Sequence, residues 1–511
     1  MNRTVALPNF VLFQKAQPGI VASSCHNTVI DLWSQHTPYD RTNLDTGIVH
    51  FGPGRFFRGH LAPIIHRYLA QQECADRRWG ICGVSLNSCS TIATLEPQDF
   101  LYTLVERYCC NGNHESAEVV GSINQVIDGR TKCNAVLEVM TSSSVHLVTL
   151  TVTQAGYYLD QSFNLNTSHE AIAHDLKNPS NPKTVIGFIV EAIRRRRDCE
   201  LAPFTTLSCD NLPKNGEILK KAVLTYAERL NSQLAHYISN HVTFPNTVVD
   251  RIVPRSHDSD QDYPIQLLQV SDRGAIVTEP FYQFVVENKF SSDRPNWEST
   301  GVTMTDDITP YLYLKSRFLN ALHSFVACLA VRVGVNYVHE TVRLPEFERF
   351  TLLLTDDIAA ATPVSRQMCE HYRSEVLRRF NNEALPDSIE RIAAETARKL
   401  NKYILPIFQD AYCQQVNLQR LILPIAAWML TVKESAIESG KPYDAKDTLS
   451  VIAAIQSGAS LSQILGLEPS ECITVVDRQI EKALHDLQVQ GLLATLKQYC
   501  EEDLDEIDAA A

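Results

Sequence analysis

The sequence predicts an α/β chain in two parts: an N-terminal doubly wound domain on a mainly parallel sheet, and a mainly α-helical C-terminal domain. Three observations carry that prediction. Up to about residue 300, short apolar runs of strand length alternate with longer stretches of helical period, the pattern of a parallel sheet covered on both faces. A Gly52-Pro53-Gly54 turn stands between the first such run and the first helical stretch. Beyond Asp306 the strand signals stop, and the apolar stretches keep the helical period.

Taken in order, residues 1–46 read as a polar leader broken by Pro8, Pro18 and Pro38, with no clear element. Residues 48–51 read as a short buried strand, 52–54 as a turn and 56–71 as an amphipathic helix. Residues 80–85 form a second strand, and further apolar runs lie at 145–152, 204–207 and 247–252. Helices are expected at 184–197 and 216–239, which completes a first domain over 47–303. The second domain, 304–511, contains helical stretches at 310–333, 365–380, 387–400, 417–432 and 475–501. Asp306 and Asp307 precede Thr309, a natural N-cap, and Pro310 at the first helical position. The acidic tail, 501–508, is expected to fray.

Composition narrows the function. At 511 residues the chain exceeds one compact core, and its 44% hydrophobic and 21% charged residues are those of an ordinary globular protein. A net charge of -13 argues against nucleic acid, whose phosphates need a basic face. The run Arg194-Arg195-Arg196-Arg197 ends a helical stretch and suits a solvated helix C-terminus. The 14 cysteines include no C-x-x-C pair and no zinc spacing, so no metal is expected, and reduced thiols point to a cytoplasmic protein. No apolar stretch reaches bilayer length.

Gly52-Pro53-Gly54 suits a pyrophosphate-binding turn. The first glycine permits the bend, the second lets the backbone approach phosphate, and the following helix start supplies positive potential. Such a turn makes the first domain Rossmann-type; a generic tight turn is the other reading. Phe57 replaces the third glycine of G-x-G-x-x-G, with Gly59 as a close-packing substitute and Arg55 or Arg58 as added positive charge. Ser85-Leu86-Asn87-Ser88-Cys89-Ser90 closes the second strand without the acid that usually holds the ribose of NAD, and without an arginine for the 2'-phosphate of NADP. NAD is expected because no basic residue stands ready for that phosphate, and NADP stays open. Polar blocks at 151–157, 208–211 and 244–254 fall at strand ends, where open α/β sheets bind ligands; loop capping is the plainer reading of each.

In the second domain, about 100° per residue puts Lys315, His323 and Asn320 at roughly 0°, 80° and 140° on one side of a single helix. Leu314, Phe318, Leu319 and Leu322 surround them. An unperturbed lysine titrates near ~10.4. Apolar neighbours disfavour its charged form and bring it toward use as an acid/base. From this segment alone, a snorkelling lysine beside a satisfied Asn and His is the competing reading.

Together these blocks resemble the polyol-specific long-chain dehydrogenase family. The likeness runs from about Gly47 to Lys497 and is carried by Ile48-Val49-His50-Phe51-Gly52-Pro53-Gly54-Arg55-Phe56, Trp79-Gly80-Ile81-Cys82-Gly83-Val84, Ser208-Cys209-Asp210-Asn211, Val249-Asp250-Arg251-Ile252, and Lys315 with Asn320 and His323. Glu279-Pro280-Phe281-Tyr282-Gln283-Phe284 and Arg294-Pro295-Asn296-Trp297-Glu298 add to it. The resemblance implies a zinc-independent enzyme, monomeric by analogy, that interconverts D-mannitol and D-fructose with NAD(H), the substrate lying between the two domains. It assigns Lys315 as general acid/base, Asn211 and Asn320 as the pair polarising the reacting oxygen, and His323 as a substrate-orienting residue. It adds Asp250, Arg391 and Lys399 as sugar contacts, and Gly52, Gly54, Arg55, Phe56, Thr153 and Gln154 as cofactor contacts.

Departures from the family pattern are concentrated. Gln154 stands where T-E-x-G-Y has its acid, and Leu312 replaces a glutamate three residues before the lysine. Asn320-Ala321-Leu322-His323 replaces N-G-S-H, and Glu395-Thr396-Ala397-Arg398-Lys399 replaces D-G-S-x-K. Fructuronate reduction is the nearest alternative, since Arg391 and Lys399 suit a carboxylate as well, while Tyr337-Val338-His339-Glu340 looks more like the mannitol branch. Arabinitol or another pentitol, and a nucleotide-binding regulatory protein without turnover, are the others.

Overall fold

The computed structural model describes residues 37–71, 76–109, 112–160, 162–255, 272–393, 396–438, 449–465, 468 and 470–510. The leader up to residue 36, and Glu395 of the departing motif, lie outside the described residues. The chain divides into two compact units. One runs to Asp306 without residues 108–113; the other joins Tyr108–Asn113 to the chain from Asp307 onward.

The first unit is organised by five parallel strands: β1 (Thr46–Phe51), β2 (Gly80–Ser85), β3 (Ile123–Asp128), β4 (Leu147–Leu150) and β5 (Thr205–Ser208). Their order is β3-β2-β1-β4-β5. Side chains alternate across such a sheet, so Val49 and Phe51 join one buried cluster with Val148, Leu150, Phe188 and Ile189. Ile48 points the other way, into a cluster with Phe57, Ile64, Ile65 and Ile81. The chain reverses direction about the sheet between β1 and β4, the switch point at which doubly wound sheets bind ligands. The fold class is the one the sequence predicts.

Several elements differ in detail. The helix expected at 56–71 is two, Arg55–Gly59 and Leu61–Gln71, broken at His60. The one expected at 216–239 is also two, because Asn231 caps the start of Ser232–His241 through bonds from Gln233 N and Leu234 N. The strands Tyr102–Cys109, Asn113–Val120 and β3 had no clear apolar run; Glu106, Arg107, His114 and Glu115 interrupt the first two. The polar block at 244–254 includes strand Thr247–Asp250, antiparallel to Gln283–Glu287.

The second unit is helical, with no strand among its described residues beyond Asp307. Its principal helices are Pro345–Ala361, Arg366–Phe380, Gln419–Glu438, Glu471–Gln490 and Leu492–Ala510. The last two replace the single helix expected at 475–501, since Gly491, at φ 79°, ends the first of them. The acidic tail is helical to Ala510. Among the described residues no helix is long and apolar enough to cross a membrane.

Candidate functional site

In the first unit the site grows from the end of β1. Gly52 adopts φ +88°, and a Cβ there would overlap the Thr151 carbonyl oxygen, so only glycine fits. Gly54 is exposed, and a Cβ on it would meet only Gly52 O, at 3.8 Å, which leaves the turn open on that side. The helix from Arg55 begins at Gly54 with no side-chain cap and no acid in its first turn. Its initial N–H groups therefore keep their positive potential for an anion. These features fit a dinucleotide pyrophosphate.

Two side chains pin this turn from beneath. His50 is buried, with Nδ1 2.7 Å from Thr149 Oγ1 and Nε2 2.9 Å from Thr151 Oγ1 and 3.2 Å from Gly52 O. It thus ties β1 to β4 across the switch point, with its ring stacked on Phe57 at 3.6 Å. Burial holds its imidazole down to about 3, so it stays neutral. Asp210, at the end of β5, accepts from Val152 N at 3.0 Å, Thr153 N at 2.8 Å and the Tyr157 hydroxyl at 2.7 Å. That clamp fixes Thr153, at φ +61°, and leaves Thr153 and Gln154 exposed beside the turn. Burial raises the Asp210 carboxyl above the ordinary range.

The remaining first-unit candidates divide. Asn211 is exposed next to Asp210, Phe56 is half-buried with its ring stacked on His60 at 5.2 Å, and Asp250 is buried at the end of its strand. Arg55 donates to the Pro254 carbonyl. Arg58 does not serve the phosphate turn as expected. It is buried, donates from Nη1 to Gly274 O at 2.7 Å and lies over the Tyr102 ring. Gly59 does pack closely: a Cβ there would meet Val253 at 2.8 Å.

In the second unit the expected single helix is interrupted where the chemistry was placed. Thr309–Leu314 is α-helical, Lys315–Ala321 is a π-helical segment, and Leu322–Ala330 is α-helical again. The helix starts one residue earlier than expected, with Ile308 at the N-cap and Asp307 Oδ1 accepting from Thr309 N at 2.9 Å. In the wide segment Leu322 N donates to Arg317 O, five residues back. Where bonds run i to i+5, the residue five places on stands one turn above, as i+4 does in an α-helix. Lys315 and Asn320 therefore come onto one face instead of standing roughly 140° apart as a 100° period requires. Arg317, buried inside the wide segment, holds it by donating to Ala361 O at 2.7 Å and to Asp410, with the Tyr313 ring beneath at 4.7 Å.

A second π-helical segment, Leu400–Ile404, packs against the first, and Lys399 stands at its N-cap. Of the helix expected at 387–400, Ile389–Ala393 and Thr396–Lys399 are described and helical, and the wide segment follows from Leu400. Lys315 thus opens one wide segment and Lys399 directly precedes the other. Lys399 Nζ donates to Ile392 O at 2.8 Å.

His323 completes the group. Its ring stacks on Phe380 at 4.2 Å and 9°, and its Nε2 lies 3.6 Å from Asp387 Oδ2. Burial, opposed by Asp387 and aided by Arg391, Arg379 and Lys399, lowers its imidazole to about 4. It is neutral near pH 7. Arg391 is exposed and donates from Nε to Asp387 Oδ1 at 3.0 Å. In the sequence Asp387 opens the helix expected at 387–400, and its place four residues before Arg391 is the spacing of a helical ion pair.

Known proteins share this architecture. Residues 46–299 match the mannitol dehydrogenase Rossmann domain and residues 307–470 the mannitol dehydrogenase C-terminal domain. Mannitol dehydrogenase DSF1 of Saccharomyces cerevisiae is 33% identical over 479 residues, 91% of this chain and 94% of that protein. D-mannonate oxidoreductase of Escherichia coli is 34% identical over 444 residues, 84% of this chain and 89% of that one. The Pseudomonas fluorescens mannitol 2-dehydrogenase structure, a ternary complex with NAD and D-mannitol, matches with a TM-score of 0.75 at 31% identity, over 91% of this chain and 96% of that one.

Proposed function

The chain belongs to the mannitol dehydrogenase family, and from that premise we propose that it interconverts D-mannitol and D-fructose with NAD(H), using Lys315 as general acid/base. What supports this reading is the wide turn, whose i to i+5 winding brings Lys315 and Asn320 one turn apart onto one face. Bound nicotinamide supplies or accepts the hydride. Lys315 takes the C2 hydroxyl proton in oxidation and returns it in reduction, a role that contributes about 10²–10⁴-fold in comparable sites. Asn320 donates an amide N–H to the oxygen as negative charge develops on it, and Asn211 is the second donor of that pair. Neutral His323 orients the sugar without adding charge, and Asp250, Arg391 and Lys399 contact its chain. Gly52, Gly54, Arg55, Phe56, Thr153 and Gln154 hold the dinucleotide.

A second reading, reduction of fructuronate, is favoured by the exposed Arg391 and by the likeness to D-mannonate oxidoreductase. Nicotinamide absorbance with fructose, fructuronate and xylulose, each with NADH and NADPH, separates the two. The mannitol reading expects the highest kcat/KM with fructose and NADH; a larger value with fructuronate overturns it.

A further inference from the structure

Asp387 has no role in the function proposed above, yet it joins two residues of that reading, Arg391 and His323. Its backbone is fixed from the Tyr337-Val338-His339-Glu340 segment: Val338 N donates to Asp387 O at 3.0 Å, Ile389 N donates to Asn336 O at 2.9 Å, and Tyr337 bridges Ser388. Its side chain is 9% exposed, against 55% for Arg391. Oδ1 accepts from Arg391 Nε at 3.0 Å and also from Nη2, so it takes one complete fork of the guanidinium. Oδ2, buried and without a hydrogen-bond partner among the described residues, faces His323 Nε2 at 3.6 Å.

Three consequences follow from elementary charge and hydrogen-bond chemistry. A carboxylate in the Nε/Nη2 fork occupies one of the two edges at which arginine receives another carboxylate side-on. It also cancels the formal charge that would attract an anion. The remaining oxygen, Oδ2, is buried against His323, so its charge acts on the site through His323 and Arg391 and not by direct contact with the sugar. Arg391 can then serve as a hydrogen-bond donor to hydroxyls more readily than as a counter-ion.

We infer that Asp387 is a specificity-determining residue that sets this site against anionic sugars and toward neutral polyols, acting through Arg391 and His323. The inference rests on the proposed sugar site, but its test is separable from turnover. Wild-type protein, Asp387→Asn, Asp387→Ser and the double variant Asp387→Asn/Arg391→Gln are loaded with NADH and titrated calorimetrically with D-gluconate and D-mannitol. Asparagine keeps the shape and the acceptor oxygen while removing the charge; serine removes both and guards against an effect peculiar to the amide.

The ratio of gluconate to mannitol affinity is expected to rise at least tenfold in both single variants and to return toward the wild-type ratio in the double variant. A structural defect would weaken both ligands together and leave the ratio where it was. An unchanged or falling ratio in both single variants overturns the inference, as does a rise that persists without Arg391. Wild-type protein that reduces neither fructose nor fructuronate overturns the proposed function, while the binding ratio still decides the role of Asp387. Absence of binding to either ligand in every protein overturns both.

Discussion

The two units solve the same problem, holding reactive groups still, by opposite means. In the first, the atoms proposed to face the cofactor belong to backbone at the ends of regular strands: Gly52 and Gly54 after β1, and Thr153 and Gln154 after β4. Their placement follows from strand order, and buried His50 and Asp210 lock it from below. In the second, the groups are side chains on helices whose regularity is broken where it matters, at Lys315–Ala321 and Leu400–Ile404. A sheet positions by topology, and this helical unit positions by a local change of winding. Point substitutions in the second unit should therefore remove chemistry, and substitutions in the first should remove cofactor affinity or stability.

The largest effect is expected at Lys315. Lys315→Ala should lower kcat by about 10²–10⁴-fold with NADH affinity kept, measured by initial rates and by fluorescence titration. Loss of both together would break the contrast between the units. Asn320→Ala should cost about 10²–10³-fold in kcat, the range for one preorganised donor, with KM moving less than kcat. An Asn320 variant altered only in KM would mean that the wide turn serves binding and not charge development.

Gly52→Ala sharpens the other side of the comparison. A side chain at φ +88° against the Thr151 carbonyl should destabilise the first unit by about 1–3 kcal/mol and weaken NADH binding at least tenfold. Thermal unfolding and NADH titration read the two effects. Unaltered cofactor affinity would detach the turn from the dinucleotide.

The smallest expected effect is on pH. His50 and His66 in the first unit are held down to about 3 and about 4, and His323 in the second to about 4, in each case mainly by burial. The unfolded chain takes up these protons from about pH 6.5 downward while the native protein refuses them. The histidine contribution to stability is thus fully present above that pH and falls as pH drops toward 4. Every tenfold weakening of a proton's hold in the native state corresponds to about 1.4 kcal/mol. The raised carboxyls of Asp210 and Asp272 pull the opposite way in the first unit. Melting temperature should decline between pH 6.5 and 4, and His66→Gln should flatten that slope. A slope that steepens in this variant contradicts the assignment.

How much was legible in the sequence follows the same division. Strand-length apolar runs and the Gly-Pro-Gly turn were enough to infer the sheet, because residues 48–51, 80–85 and 204–207 are buried on both faces and need no tertiary cue. Strands such as Asn113–Val120 were not visible, since their exposed polar residues blur the apolar pattern. The sequence pointed to Lys315, Asn320 and His323 as one cluster, but its angular reasoning assumed an unbroken α-helix. The π-helical winding depends on buried Arg317 reaching Ala361 and Asp410, contacts more than forty residues away in sequence, which no local period encodes. Asp387 was missed for a similar reason, as its significance appears only when His323, stacked on Phe380, arrives beside it.

Chemical rescue of Lys315→Ala by small primary amines tests the central claim most directly. Fructose reduction is followed by NADH absorbance at fixed pH over a series of amines of different basicity. A rate that is nearly abolished without amine, returns in proportion to added amine and varies systematically with amine basicity is the predicted result. Full turnover by the variant in the absence of any amine would contradict it.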